Sequence, residues 1–292
     1  MSALATLTDI NLDDLVSSFG WEGRPLLARL LRALFRAPAR RFARQMLDFD
    51  AAVGTRGLAE ASRQTLGAFV REVRLFSDPL PAGPLLALSN HPGMTDTLAL
   101  FAALNRPDLK IIALDRPFLK SLPNISKRLY FVVEDPSARM TLVRQVSAHL
   151  RSGDAILTFP AGRIEPDPAV YPGAAQSLSD WTDSVGVFIR LAPKTVILPV
   201  LVRGVIWERT ARHPLTRFKK TKPEREKLAA ALQLLAHVML GVKPLSVIVQ
   251  VGSPITTEVL GSKHTRAIHQ AVLTEMKRLI ENPPQGEGIR VS

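Results

Sequence analysis

Leu85-Leu86-Ala87-Leu88-Ser89-Asn90-His91-Pro92-Gly93-Met94-Thr95-Asp96 is an apolar run that stops at a polar turn and leads into the helical pattern Thr95 to Leu104. The short apolar run predicts a strand that delivers the following residues into a tight turn. A strand, tight turn and helix in succession is the unit of α/β sheets, whose ligand crevices lie past the carboxyl ends of the strands. The same turn carries His91 and, five residues on, Asp96. Together they supply the two parts of a general base: a titratable imidazole, and a carboxylate that can hold its tautomer and stabilise the imidazolium.

Outward from this turn, short apolar, β-branched runs alternate with longer helical ones. Strands are predicted at Leu85 to Ser89, Lys110 to Leu114, Leu129 to Val133, Ala155 to Phe159, Thr195 to Val202 and Leu245 to Val251, with an extra one near Val73 to Phe76. Helices are predicted at Thr95 to Leu104, Ser137 to Arg151, Trp181 to Leu191, Pro223 to Leu240 and Thr265 to Asn282. The alternation predicts an α/β fold with a largely parallel sheet flanked by helices. Three regions follow: an N-terminal helical appendage over 1–72, the main domain over 73–282, and a Pro/Gly-rich tail over 283–292 expected to be loose.

In the appendage Leu26, Leu27, Leu30, Leu31, Leu34 and Phe35 recur at helical spacing while Arg29, Arg32 and Arg36 share another face. Between Arg24 and Gln45 there are seven arginines and no acid. Pro38 is expected to end this helix, with a second beginning near Ala39 and a third running from Leu58 to Val73. The pattern suits either a helical layer packed on the main domain or an interfacial pair with its arginines at anionic headgroups.

The 292 residues can bury a substantial core, and a hydrophobic fraction of 46% with mean hydropathy +0.10 excludes wholesale disorder. A net charge of +12 and a pI near 10.5 favour an anionic partner: nucleic acid, a phosphorylated metabolite, an acidic carrier protein or a membrane surface. No cysteine is present, so disulfides, thiolate metal sites and a Cys nucleophile are excluded. The amino end does not resemble a secretory signal, and no stretch approaches the roughly 20 apolar residues that span a bilayer. A nucleophile elbow, a Walker A loop, a G-x-G-x-x-G turn and an H-E-x-x-H helix are all missing. The other histidines, among them His149, His237, His264 and His269, do not cluster, so no metal site is expected. Only two tyrosines are present, and the basic stretches lack the aromatic platforms of single-strand binders, so no nucleic acid is expected as partner. The segment Arg203 to Lys227, with nine basic and three acidic residues, reads as a solvated loop or as a docking surface for a carrier protein or an anionic bilayer.

Asn90-His91-Pro92-Gly93-Met94-Thr95-Asp96 resembles the Asn-His, four residues, Asp motif of the glycerolipid acyltransferase superfamily, which includes the 1-acylglycerol-3-phosphate acyltransferases. Phe159-Pro160-Ala161-Gly162-Arg163 resembles that superfamily's Phe-Pro-Glu-Gly-Thr-Arg block, and Val196-Ile197-Leu198-Pro199-Val200 its apolar block containing a proline. Three blocks in order are far more specific than a lone His-x4-Asp. The departures are Ala161 where the family has Glu, Arg163-Ile164 in place of Thr-Arg, and Tyr130-Phe131-Val132-Val133-Glu134-Asp135, where the nearest following arginine is Arg139. These are the blocks with which the family holds the acceptor's headgroup.

The resemblance implies an acyltransferase that needs no metal or nucleotide cofactor, with acyl-CoA or acyl carrier protein as donor and the hydroxyl of a lysophospholipid or related glycerolipid as acceptor. His91 would be the general base and Asp96 its orienting partner. Asn90, Gly93, Pro160, Gly162 and Arg163 would serve substrate binding, with Gly162 permitting close backbone approach and Arg163 contacting an anionic group. Arg116, which follows the Lys110 strand, and Arg139 are further candidates to line the pocket. The expected location is cytoplasmic, peripheral to the inner face of an anionic membrane. A lipid-binding relative without transfer activity, or a basic nucleic-acid binder, are the alternatives.

Overall fold

The computed structural model describes residues 2–133, 135–243 and 245–292; Glu134 of the Tyr130 block lies outside them. The Leu85 run is β2 (Leu85–Ser89), buried along its whole length. It sits inside an eight-stranded sheet with β1 (Glu72–Phe76), β3 (Lys110–Leu114), β4 (Leu129–Val132), β5 (Ala155–Thr158), β6 (Val196–Arg203), β7 (Ser246–Val251) and β8 (Ile289–Arg290), in the order β4-β3-β5-β2-β6-β7-β1-β8. The block from β4 to β6 is parallel, as is the β1–β7 pair, while β6 meets β7 and β1 meets β8 antiparallel. The sheet is therefore largely parallel, as the alternation predicts. Because β2 lies between β5 and β6, the loops leaving these three strands converge at one carboxyl edge.

The two faces of β2 belong to two apolar cores. Leu85 and Ala87 pack with α2 (Pro25–Arg56), α3 (Leu58–Phe69) and α4 (Met94–Leu104), while Leu86 and Leu88 pack with α7 (Pro136–Arg151), α9 (Ser184–Leu191) and α13 (Thr265–Glu281). A leucine taken from water into such a layer contributes about 1.5–3 kcal/mol, which favours the unbroken apolar run before Ser89. The shorter helices α5 (Pro117–Lys120), α6 (Pro123–Ser126), α8 (Ala174–Ser177), α10 (Glu208–Ala211) and α12 (Thr257–Leu260) are single turns in the connections. The remaining long helices are α1 (Ala3–Phe19) and α11 (Lys222–Leu240). Among the described residues, no helix is long and apolar enough to cross a membrane.

Four expectations change. The Pro38 helix end is wrong: α2 runs through Pro38 as one 32-residue helix. Proline removes one hydrogen bond there, but the carbonyl it leaves free belongs to Leu34, which is open to water, and the far half is held by core packing of Phe42, Met46 and Phe49. On the near half of the same helix Leu26, Leu30 and Leu34 are 78%, 65% and 65% exposed. A first helix, α1, precedes it, with the Ser2 hydroxyl accepting the Ala5 N–H and left-handed Gly20 (φ 68) closing its end. Helix α9 starts at Ser184, because the backbone at Trp181 is extended after a 3-10 turn at Leu178–Asp180. The tail is not loose throughout: β8 pairs with β1 and covers its outer edge.

Candidate active site

Beyond Ser89 the strand ladder continues through a side chain. Asn90 Nδ2 donates to the Val202 carbonyl at 2.9 Å and Asn90 Oδ1 accepts the Val202 N–H at 2.8 Å, so its amide is committed to β6 rather than open to a substrate. The chain then turns, and His91 Nδ1 lies 2.9 Å from Asp96 Oδ2. Asp96 is wholly buried in the first turn of α4, where its carboxylate also accepts the Gly93 N–H (2.9 Å), the Thr97 N–H and the Thr97 hydroxyl (2.9 Å). A carboxylate accepting from Nδ1–H leaves the lone pair of a neutral imidazole on Nε2. The ring rests against Phe159, with centroids 4.5 Å apart.

Burial of the ring disfavours the imidazolium, but the charge and hydrogen bond of Asp96, with the charge of Glu165, outweigh it and raise the His91 pKa above the ordinary value. The strengthened base holds its proton until a higher pH. Gly93 keeps the turn close to the β6 loop, since a Cβ there would stand 3.2 Å from Val205 Cγ1.

The loop after β5 supplies the second wall. Phe159, Pro160, Ala161 and Gly162 make a tight turn in which the Gly162 N–H donates to the Phe159 carbonyl at 3.0 Å. Gly162 has φ +61, and a Cβ there would meet nothing within 4 Å. Glycine is favoured there by its left-handed backbone. Pro160 is buried, and its carbonyl accepts the Thr182 N–H. Arg163 is exposed and ion-paired with Asp180. The chain then turns inward at Glu165, whose carboxylate accepts the His91 N–H (3.1 Å), the Trp181 indole N–H (2.7 Å) and the Ser177 hydroxyl (3.3 Å). Burial pushes Glu165 up to about 7 against the opposing pull of these donors and of His91. Asp167, also buried, accepts the N–H groups of Gly204, Val205 and Ile206 and so fastens the loop after β6.

His91, Asp96, Gly93, Pro160 and Gly162 are thus brought to one edge of the sheet. Arg139 stands in the first turn of α7 and donates to the Val133 carbonyl, and Arg116 precedes α5 near Asp14 of α1, so neither touches the His91–Asp96 pair. Glu165, Asp167, Ser177 and Trp181 are absent from the sequence-based candidates. The one available signal was an acid four residues after the Ala161 that stands where a Glu was expected.

Beside the turn lies a cavity of about 350 Å³, reached by Gly93, Met94 and Thr95 and walled by apolar groups such as Phe42, Phe69 and Leu234. It runs between the start of α4 and the layer made by α1, α2 and α11. Among the described residues no group of three or more His, Cys, Asp or Glu side chains is arranged to hold a metal ion.

Residues 72–203, from β1 to the end of β6, match the family model described as Acyltransferase. Among solved structures the chain is similar to the crystal structure of the 1-acyl-sn-glycerophosphate (LPA) acyltransferase PlsC from Thermotoga maritima, at 15% identity over 95% of this chain and 96% of that one, with a TM-score of 0.47. No curated protein matches the chain.

Proposed function

We propose that the chain, whose residues 72–203 match the Acyltransferase family model, moves a fatty acyl group from a thioester to the hydroxyl of a lysophospholipid or related glycerolipid, with His91 as general base. The observation that carries the reading is the 2.9 Å contact between His91 and fully buried Asp96, beside an apolar cavity.

The thioester is already activated, so the enzyme's task is to make the acceptor nucleophilic. Nε2 of His91 takes the hydroxyl proton as the new C–O bond forms, and Asp96 stabilises the imidazolium that results. When the tetrahedral intermediate collapses, the C–S bond breaks and the imidazolium returns the proton to the thiolate. The first N–H groups of a helix have no intrahelical partner, and those of α4 supply donors for the developing oxyanion. The cavity volume falls within the range of ligand pockets, about 300–1,000 Å³, and its apolar lining suits the acyl chain.

Phe35 and Pro38 of α2 reach this cavity, while Leu26, Leu30 and Leu34 of the same helix face outward beside exposed Arg29, Arg36 and Arg40. That arrangement supports peripheral binding to an anionic bilayer at the cytoplasmic face, where each leucine leaving water would contribute about 1.5–3 kcal/mol. An acidic acyl carrier protein and acyl-CoA both remain donors compatible with the basic surface around Lys219, Lys220 and Phe218, the last 82% exposed.

The test is direct. Purified protein is incubated with labelled acyl-CoA or acyl carrier protein and a panel of lysolipids, and the run is repeated with His91→Ala. Acyl transfer should appear with at least one acceptor and fall about 10³-fold in the variant. Transfer to no acceptor, or an equally active variant, rejects the mechanism.

A further inference from the structure

The turn carrying His91 has left the sheet, so its backbone needs partners from elsewhere. Both come from one residue 74 positions away. The Glu165 N–H donates to the His91 carbonyl at 2.9 Å, and Glu165 Oε2 accepts the His91 N–H at 3.1 Å. The other carboxyl oxygen, Oε1, accepts the Trp181 indole N–H and the Ser177 hydroxyl. Glu165 is only 3% exposed, so these donors replace the water its carboxylate would otherwise hold.

We propose that Glu165 is a positioning residue for acyl transfer, gripping the His91 backbone on both sides and holding its carboxyl group against the catalytic turn. The role rests on His91 being the base. The second block lacks its usual acid at Ala161, and Glu165 returns a carboxylate to the same loop in a place where it touches the catalytic turn.

The charge is the distinctive part of this role. A neutral acceptor would satisfy the His91 N–H equally well, whereas a carboxylate also favours the imidazolium through space. Asp96 bonds the imidazole from α4, while the Glu165 carboxylate, held at the His91 backbone N–H, acts on it by charge from the loop after β5. The elements packed around Glu165 add neutral groups: Ser177 from α8, Trp181 after the 3-10 turn, and the Phe159 ring against His91. Asp167 turns to the N–H groups of Gly204 to Ile206, and Arg163 is held by Asp180. Burial lifts Glu165 to about 7, so its charge changes in the range where a histidine titrates. The protons of the two groups are therefore coupled, and each leaves more readily when the other is retained.

The experiment is an NMR titration of the full chain labelled at histidine, with the His91 signal assigned through His91→Gln, comparing the parent with Glu165→Gln. In Glu165→Gln the His91 midpoint should fall by about half a pH unit or more, the sign expected when a facing negative charge is lost. In parallel transfer assays kcat should fall about tenfold with KM within about threefold, as for loss of positioning rather than of binding. An unchanged His91 midpoint overturns the proposal. If Glu165→Gln does not fold, Trp181→Phe serves instead: without the indole donor Glu165 is ionised less at neutral pH, and the His91 midpoint must again fall or the proposal fails. The titration needs no turnover, so an inactive protein rejects the transferase reading and leaves this result interpretable.

Discussion

The two loops that meet at His91 leave neighbouring strands at the same edge of the sheet, yet they are assembled in opposite ways. The loop after β2 is local: Asp96 serves His91, Gly93 and Thr97, all within five residues of itself. The loop after β5 is built from distant contacts, with Glu165 reaching His91 and Trp181, and Asp167 reaching Gly204 to Ile206. A histidine and the carboxylate that orients it must keep one short distance, which a single helical turn can fix. Fixing that pair relative to the rest of the sheet needs groups from several elements, and the second loop gathers them.

If chemistry resides in the local loop, Asp96→Asn should have the largest effect after removal of His91 itself. A neutral amide cannot stabilise the imidazolium and tolerates the wrong tautomer, so kcat should fall about 10²-fold or more in the transfer assay. A loss of less than about threefold would place the orienting role elsewhere.

For the distant loop the sharper measurement is stability against pH. Glu165 binds a proton more tightly in the folded chain, near 7, than in the unfolded chain, near 4.5, so its stabilising effect is complete below pH 4.5 and is lost as the pH rises to 7. The raised pKa of His91 acts in the same direction. Glu165→Gln removes the Glu165 part: between pH 4.5 and 8 it should gain about 3 kcal/mol relative to the parent in urea melts. Parallel curves would show that the folded chain does not retain that proton.

Smaller effects separate the outer loop from the inner. Gly162→Ala forces a Cβ into left-handed backbone and should cost about 1–2 kcal/mol in thermal or urea unfolding. Arg163→Ala breaks only an exposed ion pair, so stability should change by less than about 1 kcal/mol. Its effect, if Arg163 meets the acceptor, is a raised KM for anionic acceptors with kcat nearly constant.

The same contrast explains what the sequence revealed. β2, β5 and β6 were visible because strands buried on both faces are unbroken apolar runs, and the His91–Asp96 pair because its members share one turn. Glu165 was hidden because nothing near it in sequence indicates that Trp181, Ser177 and His91 converge on it. Pro38 misled because a local rule about proline was outweighed by the packing of Phe42, Met46 and Phe49 on the core. The Ile289 strand was missed because two residues carry no periodicity, only a partner in β1.

The position of β1 bears on how the chain is made. It precedes the other strands of the sheet in the chain, but its neighbours are β7 and β8, and the Glu72–Ser246 pairing spans 174 residues. During translation β1 therefore leaves the ribosome with both hydrogen-bonding edges bare while the central strands are still being added. Such an edge is open to intermolecular pairing until β7 and β8 have been made, which places the completion of this side of the sheet late in synthesis.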